Sequence, residues 1–333
     1  MLQIPCIDLE PFRCGDRRQR AAVARQWGEA FAGIGFATIV GHGVSPQTTT
    51  KAYDALMRFF DLPPADKLPC ALPERVKSRG YLPVGIESVA RTRGEDRPAD
   101  LCEALVFAGV HNERPGPLSG RRSEITGNAY PADPPELADA VRAYFMEVYD
   151  LLTTLLQVSA CALNLPEDFF APYFDRRRVT LRCVHYPAQT IEPEPGQLRY
   201  GAHSDYGALT ILRQDDAPGG LQACTVDGDW VDVVPTPGSY VINIGDLMAR
   251  WTNDRWRSTL HRVVNPPRDA RGPTRRLSLV LFSGPNPDAV ISGLPSCVDD
   301  SSPAKYPPVR AEDYIQAKLD TSMPETLQAG RDA

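Results

Sequence analysis

The sequence lacks any apolar run of about 18 residues, the length that a helix needs to cross a bilayer, so no membrane span is expected. It lacks a basic segment followed by an apolar stretch near Met1, so no signal peptide is expected either. Its eight cysteines form no Cys-x-x-Cys pair, which favours reduced thiols and a cytoplasmic protein. A basic excess is also missing, since the net charge is −6, and this argues against nucleic acid or anionic membranes as partners.

Histidine is scarce, and no histidine belongs to a His-Glu-x-x-His motif, the helical signature of many zinc hydrolases. Two histidines nevertheless lie in β-prone stretches, and Asp205 follows the first, His203, at i+2. Because residues i and i+2 project from one face of a strand, His203 and Asp205 can reach one ion. The second, His261, lies on a separate predicted strand, which implies that the sheet closes back on itself.

This donor set predicts a catalytic metal site. Two imidazoles and a carboxylate are the ligands of a mononuclear non-haem Fe(II) centre, and they leave one face of the metal open for chemistry. Zinc can use the same donors. The absence of the helical zinc motif favours Fe(II), with His203, Asp205 and His261 as the catalytic metal ligands.

Arg276 and Ser278 form a second pair with i, i+2 spacing, so they also share one face of a predicted strand. A guanidinium binds a carboxylate through two parallel hydrogen bonds and stays charged, and a hydroxyl can donate a third. The pair therefore predicts that an organic acid binds beside the metal. The neighbouring Arg275 is expected to form an ordinary surface ion pair.

The chain has 333 residues, of which 42% are hydrophobic, so it can bury a sizeable core. Length alone suggests about two domains, but a decorated β-barrel of this size favours one compact unit. Apolar periodicity predicts helices at 17–32, 46–60 and 135–163. Short β-prone runs separated by turns between 179 and 282 are typical of a jelly roll. The segment 83–117 is expected to be irregular, and 320–333 frayed.

Several short motifs, in this order, resemble those of the isopenicillin-N-synthase-like group of Fe(II)/2-oxoglutarate-dependent dioxygenases. They are IPCIDL at 4–9, GFATIVGHGV at 35–44, LRCVHYP at 181–187, AHSDYG at 202–207, GGLQ at 219–222, NIGDL at 243–247, WTND at 251–254 and STLHRV at 258–263. The resemblance extends over nearly the whole chain.

The resemblance implies a mainly β fold with flanking helices (α+β), built on a double-stranded β-helix, or jelly-roll, core. It divides the chain into an N-terminal dioxygenase-type region at 1–125, a scaffold helix at 126–175, the jelly-roll core at 176–290 and a C-terminal segment at 291–333. It further implies Fe(II), 2-oxoglutarate and O2 as cofactor and cosubstrates. Arg276 and Ser278 would hold the far carboxylate of 2-oxoglutarate, and Tyr186 would also reach this molecule.

The activity implied by the resemblance is oxidation of a small-molecule metabolite with release of succinate and CO2. Hydroxylation is the favoured outcome, with desaturation and cyclisation as variants, and secondary metabolism is the expected setting. Three alternatives remain: an oxidase like isopenicillin N synthase that needs no 2-oxoglutarate, a nucleobase hydroxylase of the thymine 7-hydroxylase type, and a non-catalytic ligand-binding barrel. No oligomeric state is predicted.

Substrate contacts are the part of the site that the resemblance defines least. Family substrate pockets lie over the iron, between the N-terminal region, the barrel mouth and the strand that carries Arg-x-Ser. The candidate substrate-binding residues are Arg79, Tyr81, Arg182, Tyr206, Leu281 and Phe282. Three of them, Arg182, Tyr206 and Phe282, are similar to residues of the fungal thymine 7-hydroxylase branch.

Overall fold

The computed structural model describes residues 3–72, 79–95, 97–113, 118–124, 126–190, 192–270 and 273–321. The helices are α1 (Glu10–Cys14), α2 (Arg17–Gly33), α3 (Pro46–Asp61), α4 (Pro64–Lys67), α5 (Leu137–Ala162), α6 (Asp246–Trp251) and α7 (Ala311–Thr321). The strands are β1 (Cys6–Asp8), β2 (Phe36–Val40), β3 (Gly80–Leu82), β4 (Glu103–Ala108), β5 (Arg178–Tyr186), β6 (Tyr200–His203), β7 (Leu209–Gln214), β8 (Leu221–Cys224), β9 (Trp230–Asp232), β10 (Tyr240–Ile244), β11 (His261–Val263), β12 (Arg276–Gly284), β13 (Val290–Ile291) and β14 (Val309–Arg310).

Two sheets form the core. The larger has eight strands in the order β1-β2-β10-β7-β12-β5-β4-β3, and the smaller has four in the order β6-β11-β8-β9. Apart from the parallel pair β1–β2, the neighbouring strands of both sheets are antiparallel. This arrangement confirms the predicted class, a mainly β jelly roll with flanking helices. The strands before residue 125 extend the same eight-stranded sheet as the strands of the jelly roll.

Successive side chains of strand β12 point alternately to the two faces of the large sheet. Arg276, Ser278 and Phe282 face a cavity between the sheets. Leu279 and Leu281 point the other way, into the hydrophobic core that the sheet shares with the helices. The two-residue period of an extended chain thus assigns each β12 side chain to one side of the sheet.

The scaffold helix α5 packs against α2 and α3 on the outer side of the large sheet. Its contact with α2 includes a buried hydrogen bond from Trp27 Nε1 to Ser159 Oγ at 3.0 Å. Helix α3 begins at Pro46, and Ser45 Oγ accepts a hydrogen bond from Thr48 N, as expected of a cap followed by proline. The three predicted helices are therefore confirmed, with ends within two residues of the expected ones.

The prediction of an irregular segment at 83–117 was wrong, because this segment contains strand β4. The sequence of β4, Glu-Ala-Leu-Val-Phe-Ala, shows no alternation of polar and apolar residues, since the strand is covered on both faces. It lies between β3 and β5 in the large sheet. Most of the predicted frayed end at 320–333 lies outside the described residues.

None of the helices in the described ranges is long and apolar enough to cross a bilayer. All eight cysteines are free thiols, as predicted.

Glu103 of β4 is the centre of a buried polar cluster on the helical side of the large sheet. Its carboxylate accepts hydrogen bonds from His185 Nδ1 at 2.8 Å, from Lys67 Nζ at 2.8 Å and from Tyr81 Oη at 2.5 Å. Burial alone would raise the pKa of Glu103, but these three partners outweigh it, and the pKa is lowered from 4.5. Folding therefore favours the charged form of this carboxylate.

We expect Glu103→Gln to lower the free energy of unfolding by about 3–5 kcal/mol at pH 7, because it leaves Lys67 buried without its counterion. A lowered pKa means that the stabilisation is complete above the unfolded-state pKa, near 4.5, and is lost as the pH falls through the folded-state value. Urea unfolding at several pH values should show that the difference in unfolding free energy between wild type and variant becomes smaller as the pH falls below about 4.5.

The matched control for this prediction is Glu192→Gln, which removes a carboxylate from an ion pair with Arg268 at the surface. Exposed pairs contribute little, so the unfolding free energy should change by less than about 1 kcal/mol. A difference between wild type and Glu103→Gln that persists unchanged down to pH 3 would contradict the assigned charge state.

Candidate metal and cosubstrate site

A cavity opens between the two sheets and encloses about 550 Å³ of empty space, including open solvent at its mouth. Side chains from both sheets line it. They are Arg182, Val184, Tyr186, Tyr200, His203, Asp205, Thr210, Leu212, Leu221, Asn243, His261, Val263, Arg276, Ser278, Val280 and Phe282.

His203, Asp205 and His261 come together at this cavity. His203 ends β6 and is the direct antiparallel partner of His261, which begins β11, while Asp205 follows β6 in the next turn. Asp205 Oδ1 lies 3.7 Å from Nε2 of each histidine. One donor atom from each of the three side chains lies within 4.8 Å of the others, so a single ion can contact all three. All three residues are buried.

Main-chain carbonyls hold both imidazole rings in the orientation that a metal requires. His203 Nδ1 donates to the carbonyl oxygen of Gly201, and His261 Nδ1 donates to that of Thr259, each at 3.0 Å. A carbonyl oxygen can only accept, so the proton of each neutral ring is on Nδ1. The lone pair of each Nε2 is therefore free to bind a cation.

The carboxylate of Asp205 is oriented by two buried donors. Its Oδ2 accepts hydrogen bonds from Thr210 Oγ1 and from Asn243 Nδ2, both at 2.6 Å. These bonds leave Oδ1 facing the two imidazoles. Asn243 belongs to the NIGDL motif noted in the sequence, whereas Thr210 carries no signal that sequence reasoning could have used.

Burial and mutual contact set the charges of this cluster. Burial lowers the pKa of His203 to about 3, and the neighbouring His261 adds to this effect, while Asp205 opposes it. Burial alone would raise the pKa of Asp205, but the two imidazoles and the two hydrogen bonds outweigh it and lower the pKa. His203 and Asp205 thus offer a neutral imidazole and an ionised carboxylate, the forms that bind a metal cation.

The turn that carries Asp205 is pressed against β12. The main-chain N–H of Asp246 donates to the carbonyl oxygen of Asp205 at 2.7 Å. A Cβ added at Gly207 would lie 2.2 Å from the carbonyl oxygen of Ser283, so only glycine fits this approach. The close packing fixes where Asp205 enters the cavity.

Arg276 is a buried cation whose five N–H donors are not all used. Its Nη2 donates to Gln214 Oε1 at 2.6 Å, and its Nη1 donates to the carbonyl oxygens of Ala217 and Gly219 at 3.3 Å. Asp215 Oδ1 lies 3.6 Å from Nη1. The Nε atom is buried and has no hydrogen-bond partner among the described residues. Burial lowers the pKa of Arg276, and Asp215 opposes this effect.

An unsatisfied buried guanidinium nitrogen fits a site that receives a carboxylate. Tyr186 ends β5 directly opposite Arg276 in the strand register, and Ser278 is two residues farther along β12. Burial raises the pKa of Tyr186, so its hydroxyl stays protonated and can donate. The structure therefore brings all three predicted cosubstrate residues to the cavity that also contains the His-Asp-His cluster.

Arg182 and Phe282 are the two predicted substrate-binding residues that line this cavity. Both terminal nitrogens of Arg182 pair with the carboxylate of Glu87, Nη1 with Oε1 at 3.1 Å and Nη2 with Oε2. The Nε of Arg182 is buried and has no hydrogen-bond partner among the described residues. Glu87 was not predicted, because its loop reaches Arg182 only through the tertiary fold.

Four of the predicted substrate-binding residues do not line the cavity. Arg79 donates to the carbonyl oxygen of Thr126, and Tyr81 belongs to the Glu103 cluster on the helical side of the sheet. Leu281 lies on the opposite face of β12 from Phe282, in the hydrophobic core. The ring of Tyr206 is directed towards α7, with its centroid 5.9 Å from Lys318 Nζ. Of the six candidates, Arg182 and Phe282 are therefore the two that the structure places at this cavity, and a role in substrate binding stays a prediction.

Comparison with known families gives two matches along the chain. Residues 178–285 match the 2OG-Fe(II) oxygenase superfamily. Residues 4–125 match the N-terminal region described as non-haem dioxygenase in morphine synthesis.

Similar proteins extend over most of the chain. The 2-oxoglutarate-Fe(II) type oxidoreductase hxnY of Emericella nidulans is 33% identical over 320 residues, which cover 94% of this chain and 88% of that protein. Validamycin A dioxygenase of Streptomyces hygroscopicus is 31% identical over 292 residues, covering 86% of this chain and 78% of that protein. The crystal structure of a full-length Neurospora crassa protein in complex with alpha-KG and thymine has a TM-score of 0.82 and 28% identity, covering 96% of this chain and 97% of that one.

Proposed function

The chain belongs to the 2OG-Fe(II) oxygenase superfamily, and we propose that it hydroxylates a small molecule in the cavity between its two sheets. Membership makes it an Fe(II)- and 2-oxoglutarate-dependent oxidoreductase, as predicted from the sequence. The observation that carries the proposal is the convergence of the His-Asp-His cluster and the buried Arg276 on one cavity.

In this proposal His203, Asp205 and His261 bind Fe(II). Arg276 and Ser278 bind the far carboxylate of 2-oxoglutarate, with Arg276 Nε as the donor that is still free. Iron bound there would supply oxidation of a substrate C–H bond by O2, coupled to conversion of 2-oxoglutarate into succinate and CO2. The protein contributes the orientation of these groups and a cavity wall that keeps bulk water from the reacting atoms.

The cavity wall supports a compact, largely apolar or aromatic substrate. Val184, Leu212, Val263 and Phe282 give the wall its apolar character. Arg182 adds a hydrogen-bond donor at its Nε, while Glu87 already neutralises its charge. A carbonyl oxygen suits this donor better than a second carboxylate, which would have to share one guanidinium with Glu87.

A nucleobase hydroxylase of the thymine type is the second candidate. Arg182 and Phe282 support it, since they offer a donor for a ring carbonyl and an aromatic face for stacking. The similarity to the Neurospora crassa protein that was crystallised with thymine points the same way. The thymine-type candidate is weakened by the position of Tyr206, whose ring lies away from the cavity. Relatives described as 2-oxoglutarate-dependent favour both candidates over a cosubstrate-free oxidase. The complete set of three metal ligands favours both over a non-catalytic barrel.

Substrate-stimulated release of succinate tests the proposal. We expect the Fe(II)-loaded protein to release succinate in proportion to a product one oxygen atom heavier than its substrate. The panel should include thymine and uracil beside neutral aromatic and alicyclic carbonyl compounds. Arg182→Gln should raise the KM for the substrate about tenfold or more, by loss of a charged hydrogen bond, and leave the affinity for 2-oxoglutarate unchanged.

Two results would contradict the proposal. One is the absence of a charge-transfer absorption band when 2-oxoglutarate is added anaerobically to the Fe(II) protein. The other is a product that has lost two hydrogen atoms without gaining oxygen, which would mean desaturation or ring closure. Stimulation by thymine but by none of the other compounds would select the second candidate.

A further inference from the structure

A second buried arginine, Arg199, lies next to the proposed cosubstrate site. It directly precedes β6, and it is only 1% exposed. Its guanidinium carbon is 5.9 Å from the ring centroid of Tyr186, the direct strand partner of Arg276. Arg199 was not singled out in the sequence, because arginine beside a predicted strand is ordinarily a surface residue.

Arg199 and Arg276 hold the same turn from two sides. Arg199 Nη1 donates to the carbonyl oxygen of Pro218 at 2.8 Å, and Nη2 donates to that of Thr274. Arg276 Nη1 donates to the carbonyl oxygens on either side of Pro218, those of Ala217 and Gly219. Three consecutive carbonyls are thus bound by two guanidinium groups, so the position of the turn depends on both arginines.

The turn has little freedom to move away from the two arginines. Gly219 has φ +74°, a conformation that favours glycine, and a Cβ there would lie 2.6 Å from Pro266 N. A Cβ added at Gly220 would lie 3.6 Å from Arg276 Nη1. The backbone is therefore packed between Pro266 and Arg276, and a change at Arg199 should be transmitted to Arg276.

The charges at this end of the cavity do not balance within the protein. Within the described residues Arg199 forms no ion pair, although Asp215 attracts it electrostatically. Burial and the positive charge of Arg276 lower the pKa of Arg199 to about 10, which still leaves it charged at neutral pH. Arg199 and Arg276 thus face the single negative charge of Asp215, and a carboxylate that enters would remove the excess.

We propose that Arg199 is a positioning residue that makes the cosubstrate site selective for 2-oxo acids with a second carboxylate, by adding positive charge and by holding the turn that Arg276 contacts. This inference rests on the proposed function, because it takes Arg276 as the residue that binds the far carboxylate of 2-oxoglutarate.

Calorimetric titration of the anaerobic Fe(II)-loaded protein with two acids tests the inference. One acid is 2-oxoglutarate, and the other is 2-oxopentanoate, which has a methyl group in place of the far carboxylate. Arg199→Gln keeps hydrogen-bond donors but removes the charge. We expect it to weaken binding of 2-oxoglutarate about tenfold and that of 2-oxopentanoate by less than about twofold. Arg199→Lys retains the charge and should retain most of the selectivity.

The matched control is Arg262→Gln, which removes a half-buried arginine of β11 whose guanidinium stacks 4.0 Å from the ring centroid of Trp230. It should change neither affinity. If Arg199→Gln weakened the binding of both acids equally, Arg199 would have only a structural role and the inference would be overturned. Unchanged affinities for both acids would overturn it as well. Failure of the wild-type protein to bind 2-oxoglutarate would instead contradict the proposed function.

Gly219→Ala provides a second variant that retains both charges, for the case in which Arg199→Gln does not fold. Its Cβ would displace the turn against Pro266. We expect weaker binding of 2-oxoglutarate and little change for 2-oxopentanoate. Unchanged binding of 2-oxoglutarate would overturn the role assigned to the turn.

Discussion

Asp205→Ala should abolish iron-dependent turnover and lower the affinity for Fe(II) by more than about a hundredfold. The reason is that groups which merely orient metal ligands are each worth about 10- to 100-fold in affinity or activity, so a direct ligand should be worth more. The substitution also leaves the donors of Thr210 and Asn243 without their acceptor. Anaerobic Fe(II) binding and substrate-stimulated succinate release measure the two effects, and His203→Ala should behave in the same way.

Two further variants make this result interpretable. Thr210→Val removes one donor to Asp205 and should lower iron affinity by only about 10- to 100-fold. His111→Gln removes a histidine that stacks on Tyr149, away from the cavity, and should leave iron affinity unchanged. All variants should stay folded, because the ligands line a cavity and do not fill the hydrophobic core. Full activity of Asp205→Ala at limiting iron would contradict the metal assignment.

Arg276→Ala should weaken binding of 2-oxoglutarate by about 3 kcal/mol, roughly a hundredfold, which is the size of a lost charged hydrogen-bond pair. Iron binding should be retained, because Arg276 contacts Gln214 and the 217–219 turn and not the three metal ligands. Arg276→Lys should recover only part of the loss, since an ammonium cannot form the two parallel bonds of a guanidinium. The charge-transfer band of the anaerobic Fe(II) protein provides the titration signal.

Arg275→Ala is the matched control for Arg276→Ala. Arg275 is the adjacent residue, but its side chain points to the other side and pairs with Asp61, with Nη1 2.7 Å from Oδ1. This confirms the ion pair predicted for Arg275, whose Nε also donates to His185 Nε2 at 3.3 Å. Its loss should leave the affinity for 2-oxoglutarate unchanged. If Arg276→Ala also left that affinity unchanged, the assignment of the carboxylate site would be refuted.

Side chains that follow the strand period could be predicted from the sequence. The i, i+2 rule correctly placed Arg276 and Ser278 on one face of β12, and Phe282 continues the same row. The same rule places Leu281, a candidate taken from the family resemblance, on the opposite face of β12 from Phe282. The structure agrees with the alternation inferred for β12, whereas Asp205 lies in the turn after β6, so the i, i+2 rule within a strand does not explain how it meets His203.

Contacts made by distant segments could not be predicted. Glu87 reaches Arg182 from a loop 95 residues earlier in the chain. Arg199 is buried and donates to carbonyl oxygens of Pro218 and Thr274, which lie on other segments of the chain. Strand β4 was missed for a related reason, since burial of both its faces removes the alternation that marks a half-exposed strand. In each case the signal lies in tertiary contacts that a local pattern does not contain.

The order of strands in the large sheet has a consequence for how the chain folds during synthesis. Strand β2 pairs with the short β1 on one side and with β10 on the other, where Tyr240 is opposite Ile39. The edge of β2 that pairs with β10 thus has no partner until about two hundred further residues have left the ribosome. Pairings so distant in sequence are slow to form and leave strand edges open to aggregation. We therefore expect the first 125 residues, expressed alone, to depend on chaperones or to precipitate.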